Sequence, residues 1–130
     1  MDQGNLSQFE LGWLVGILEG EGYFAYQGSS GTHRVCVNMT DEDTINQLAA
    51  LYERILGCGV KVWHKEHPNP NNQDYYMVEI YGERARIIMR LVVRHMSFRR
   101  RQRIWQSLNN YKPEKINLVK LLDIRNASNG

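Results

Sequence analysis

Two acids, Glu19 and Glu21, close an apolar stretch at the end where backbone electrostatics oppose them. The stretch runs SQFELGWLVGILEGEG, from Ser7 to Gly22. Read as a helix, it places both carboxylates at the C-terminal, negative pole of the macrodipole. Violations of a local rule concentrate at functional sites. A second group is cationic. Eight of the sixteen Lys and Arg residues lie between Arg84 and Arg103, and Arg99, Arg100 and Arg101 form an unbroken run. That is the local footprint of a polyanion partner, although the net charge is only +2. Arg86, Arg90 and Arg94, at spacing four, read instead as a solvated helix face. Cys36 and Cys58 lack CxxC spacing, and with His64 and His67 they match no usual zinc pattern; reduced thiols are the expectation.

These groups need elements to hold them. Ser7 and Glu10 form a capping box that opens the first helix. Phe9, Leu11, Leu14, Val15, Ile17 and Leu18 make a broad apolar surface, so the helix is expected to be buried rather than half-wet. Gly12, Gly16 and Gly20 recur on one stripe, each costing about 1 kcal/mol in a helix interior. Such a stripe makes sense where another backbone packs closely. Gly22 supplies the stop.

Tyr23 to Gln27 reads as a strand and Gly28 to His33 as its turn. Arg34 to Thr40 alternates, with Val35, Val37 and Met39 on one face and Arg34, Cys36, Asn38 and Thr40 on the other. A helix follows over 41–56, capped by Thr40 or Asp41, with Ile45, Leu48, Ala49, Leu51, Tyr52, Ile55 and Leu56 inward. Val60 to Lys65 reads as a third strand, Val60 and Val62 inward and Lys61, Trp63 and Lys65 outward unless the register slips by one. Pro68 to Gln73 is a polar turn. Tyr75 to Tyr81 is a fourth strand with Tyr76, Val78 and Ile80 inward and Tyr75, Met77 and Glu79 outward. Helices are expected over 83–95 and 98–109, and Pro113 opens a last one ending near Arg125. Trp105 belongs to the core, Trp13 packs beside the glycines, and Trp63 either meets a ligand or packs at its strand's end.

Leu14 to Gly22, LVGILEGEG, resembles the motif of LAGLIDADG homing endonucleases, with glutamates where the consensus shows aspartates. The resemblance extends over about Phe9 to Asn110. It implies one α+β domain over 1–130, ordered αββαββα plus C-terminal helices over about 98–125, with a saddle-shaped four-stranded antiparallel sheet and helices on one face. It also implies a homodimer whose motif helices meet through Gly12, Trp13, Gly16, Glu19 and Gly20. Glu21 matches the acid that ligates metal, with the Gly20 carbonyl as a further ligand; the ion would be Mg²⁺, with Mn²⁺ or Ca²⁺ able to replace it for binding. Arg99 and Arg100 stand where relatives carry basic residues near the scissile phosphate, and an arginine cannot serve as a general base. Asp41 either positions solvent there or simply caps its helix.

The open sheet face would then meet double-stranded DNA through Gln27, Ser29, Arg34, Asn38, Thr40, Lys61, Trp63, Lys65, Tyr75 and Glu79, with Arg101 beside it. The implied activity is site-specific hydrolysis of both strands of a long, partly palindromic target. The alternative is a non-cleaving protein on the same scaffold, either a maturase of host intron RNA or a DNA-binding regulator. No apolar run reaches membrane-spanning length and MDQGNLSQ shows no leader pattern, so an intracellular location is expected.

Overall fold

The computed structural model describes residues 6–28 and 31–109. Its elements are α1 (Gln8–Glu21), β1 (Gly22–Gln27), β2 (Thr32–Met39), α2 (Glu42–Leu56), β3 (Trp63–Lys65), β4 (Tyr75–Tyr81), α3 (Gly82–Val92) and α4 (Phe98–Asn109), with a short 3-10 turn at Val93–His95. The strands form one antiparallel sheet in the order β1-β2-β4-β3, so the class is α+β as expected. The helix expected to begin at Pro113, the tail after it and Ser29 lie outside the described residues.

The chain gathers into two compact units. The first holds α1, the later part of β2, α2, β3 and β4. Here the capping box is present in both directions: the Ser7 amide donates to Glu10 Oε1, and the Glu10 amide donates to Ser7 Oγ, each at 3.0 Å. Glu10 also takes the guanidinium of Arg54 from α2, so one carboxylate both opens α1 and ties it to its neighbour. That pairing, chiefly the Arg54 hydrogen bond, holds the Glu10 carboxyl down at about 2. The core under it contains Leu14, Leu18, Ile45, Leu48, Tyr52, Val78 and Ile80.

The second unit holds β1, the start of β2, α3 and α4. Phe24, Val35, Ala85, Ile88, Met89, Val92, Ile104 and Trp105 form its core. His33 is fully buried among them. Its Nε2 donates to the Ser107 carbonyl at 2.8 Å, since a carbonyl can only accept, and its Nδ1 accepts from Arg86 Nη1 at 3.2 Å. Burial foremost pushes the imidazole pKa below its ordinary value of 6.5.

Several expectations need correction. The first helix is not buried all round: only Leu14 and Leu18 are, and Phe9 is 79% exposed. Gly22 ends α1 in extended geometry (φ −75°), not in a left-handed cap, and leads directly into β1. Glycine is needed there for space, because a Cβ would lie 2.6 Å from the Leu18 carbonyl oxygen. The third strand has three residues, so Val60 to Val62 approach it without ladder pairing. His33 belongs to β2 instead of the turn, and Cys36 is buried although Asn38 on its face is exposed. A side chain that short on an inner strand is covered by longer neighbours.

Candidate functional site

Glu21 is the last residue of α1 and is exposed. The last turn of the helix carries no basic residue. The Gly22 amide closes onto the Leu18 carbonyl, so the carbonyls of Glu19, Gly20 and Glu21 extend past the last intrahelical bond. The macrodipole's negative pole and the Glu21 carboxylate therefore coincide. Among the described residues, nothing lies within 4 Å of where a Cβ would stand on Gly12, Gly16 or Gly20. Within that part of the chain the glycine stripe is a bare backbone surface.

A pocket of about 320 Å³ lies at this helix end, lined by Glu21, Asn38, Met39, Thr40, Asp41 and Tyr75. Five of the expected site residues, Glu21, Asn38, Thr40, Asp41 and Tyr75, drawn from four elements or their ends, thus line one pocket. Met39, expected to point inward with Val35 and Val37, is half-exposed and lines this pocket instead. Asp41 is the cap of α2: Oδ1 accepts from the Asp43 amide at 3.1 Å and Oδ2 from the Thr44 hydroxyl at 2.7 Å. The Thr44 bond foremost holds its carboxyl below the ordinary range. The capping role is thus realised, and Asp41 is also one of the residues that line the pocket.

Apart from Met39, the lining residues carry two carboxylates, two hydroxyls and an amide, groups whose oxygens suit a hard divalent cation better than zinc. Among the described residues no three His, Cys, Asp or Glu side chains cluster closely enough to hold a metal. Cys36 and Cys58 are free thiols, and His64 pairs with Asp74 at 3.0 Å.

The arginine run belongs to the second unit, in the first turn of α4. Arg99 is exposed, while Arg100 and Arg101 are half-buried. Other members of the basic segment do structural work: Arg86 holds Glu83 at 2.7 Å and His33, and Arg103 donates to the Phe24 carbonyl at 3.0 Å. Arg90, 3.7 Å from Glu83, and Arg94 are exposed as a solvated helix face predicts, but Arg86 is not part of it, because its side chain is largely buried against His33.

On the sheet, Trp63 is opposite Met77 and Lys65 opposite Tyr75, so these four share a face. His64 and Tyr76 share the other, with rings stacked 5.0 Å apart. Val78 and Ile80, in step with Tyr76, are buried, so the Lys61, Trp63 and Lys65 side faces away from the core as expected. Gln27, Asn38, Thr40 and Lys61 are exposed, and Arg34 and Glu79 half-buried.

A family model described as a LAGLIDADG-like domain matches residues 8–103, from the start of α1 into α4. The chain belongs to the LAGLIDADG family. No curated protein and no solved structure matches it. The match places this LAGLIDADG chain among homing endonucleases and maturases, and it includes the motif helix, the whole sheet and both ends of the pocket. No helix among its described residues is long and apolar enough to cross a membrane.

Proposed function

We propose that this LAGLIDADG protein is a site-specific double-stranded DNA endonuclease that works as a homodimer with a divalent metal. The observation that carries the reading is the position of Glu21. It is an exposed carboxylate at the negative end of a helix, in a pocket that also has Asn38, Thr40, Asp41 and Tyr75 in its lining, directly after a glycine stripe that no other described residue covers.

Two such helices crossing at their glycines would bring two Glu21 carboxylates together. Paired carboxylates repel each other, and a hard cation between them relieves that repulsion. Glu21 and the Gly20 carbonyl would hold Mg²⁺. When bound, the ion lowers the pKa of water and stabilises charge on a transferring phosphoryl group. The chain's own residues do the rest. Asn38, Thr40 and Tyr75 border the pocket and orient the substrate's sugar–phosphate chain or its solvent. Asp41, ionised through its Thr44 and Asp43 bonds, is suited to accepting hydrogen bonds from ordered water. Arg99, exposed at the start of α4, neutralises phosphate charge and cannot take up a proton. The exposed side of the sheet supplies hydrogen-bonding groups to base edges in the major groove, which admits a two-stranded ribbon.

A second reading, a maturase or regulator that binds without cutting, draws on the glutamates and arginines that stand where the family pattern has aspartates and lysines. A regulator gains nothing from a carboxylate beside phosphates, so Glu21 favours the nuclease. The test is selection of the purified protein on random duplex DNA in Ca²⁺, followed by a switch to Mg²⁺. A partly palindromic consensus cut near its centre is expected. A consensus that is bound and never cut would replace this reading with the regulator, and enrichment only on intron RNA would replace it with the maturase.

A further inference from the structure

The edge strand carries an apolar spot that the metal pocket does not use. Trp63 on β3 is 41% exposed and directly opposite Met77 on β4, itself only partly covered. As directly opposed residues the two side chains are cross-strand neighbours on the face turned from the core. Two cations frame it. The Lys61 ammonium lies 3.7 Å from the centroid of the indole, and that of Lys65 lies 5.2 Å away. Cation–π attraction holds both ammonium groups over a ring that is itself fixed by strand pairing. Long lysine side chains are otherwise costly to order.

A surface that is apolar in the middle and cationic at the rim fits an apolar feature set in a polyanion. The major groove offers one apolar group of methyl size among its base edges, the C5 methyl group of thymine, set among hydrogen-bond donors and acceptors. Stacking of an unpaired base is the other use of an exposed indole. Lys61 sits over the ring and competes for the stacking position, which favours an edgewise methyl contact.

We propose that Trp63 and Met77 together read a thymine methyl group in each half of the duplex target, while Lys61 and Lys65 hold the flanking phosphates. This specificity site rests on the DNA-binding reading given above. It makes Met77 a specificity-determining residue, and it assigns Trp63 to a base instead of to packing at the strand's end.

The experiment uses the whole chain and a duplex recovered by selection from random DNA in Ca²⁺. Each thymine is replaced in turn by deoxyuridine, which removes the methyl group and leaves base pairing intact. At one thymine of each half-site the replacement should weaken binding by about fourfold, the effect of one buried methyl group. Met77→Ala and Trp63→Leu should abolish that difference between thymine and deoxyuridine. Lys61→Gln should weaken binding to both duplexes equally and reduce the dependence of affinity on salt by about one unit of slope. A protein that binds its selected duplex but shows no thymine whose methyl effect depends on Met77 or Trp63 overturns this proposal alone. A protein that enriches no duplex overturns the DNA-binding reading and this proposal with it.

Discussion

Replacing Gly16 by alanine separates a chain that works alone from one that works as a pair. Gly16 is exposed in the middle of α1, and a Cβ there would meet none of the described residues within 4 Å. Within one chain the substitution therefore removes the backbone-entropy cost of glycine without a clash, a gain of about 0.8–1 kcal/mol. For a domain of this size that raises Tm by about 3–5 °C. If two motif helices meet at backbone distance, each added methyl group overpacks the contact at about 1–3 kcal/mol. A two-fold interface contains the change twice, so association weakens by about 2–6 kcal/mol, or from about 30-fold to about 20,000-fold. The helix gain is the same in free and paired chains and drops out of the association constant. Sedimentation across a dilution series measures the dimer constant, and urea unfolding at two protein concentrations measures stability. We expect a weaker dimer built from a more stable monomer. A more stable protein with an unchanged dimer constant would refute the close packing of α1, as would a wild-type chain that stays monomeric at every concentration.

Two further substitutions probe the joints that hold the site. Gly22→Ala should destabilise the protein by about 1–3 kcal/mol in denaturant melts, because its Cβ would meet backbone atoms of Leu18 at 2.6 to 3.2 Å, and it should also impair cutting by displacing the adjoining Glu21; alanine tolerated without loss would remove the steric account of this joint. His33 has its pKa depressed in the folded state, so the unfolded chain binds the extra proton and stability is complete only above about 6.5. Wild-type stability should fall as pH drops through and below that value. His33→Leu, expected to cost about 1–3 kcal/mol at neutral pH, should flatten that part of the curve; an unchanged slope would mean that another group titrates.

Much of the scaffold could be read before any coordinates because local chemistry set it. Ser7 and Glu10 marked the start of α1, and α4 has the bounds of the helix expected over 98–109. The ends of β3 could not be read, because alternation along a strand gives its faces and not how far a partner accompanies it. His33 was assigned to a turn, yet it is in step with Val35 and Val37, and continuing their alternation by one pair would have placed it inside. Glu10 and Arg54 are 44 positions apart, and no local pattern signals such a pairing. At the site, Glu21 was legible because it breaks a rule at a helix end. The pocket it shares with Met39 and Thr40 depends on how separate elements converge, which spacing along the chain does not contain.

The central claim, that Glu21 carries metal-dependent cutting, is tested most directly by Glu21→Gln on the selected duplex. Glutamine keeps the size and loses the charge. Binding in Ca²⁺ and cleavage in Mg²⁺ would be measured on the same DNA. The account predicts that cutting of both strands is abolished while binding is kept or tightened, since a negative charge beside the phosphates has been removed. Cutting by Glu21→Gln at the wild-type rate would contradict it.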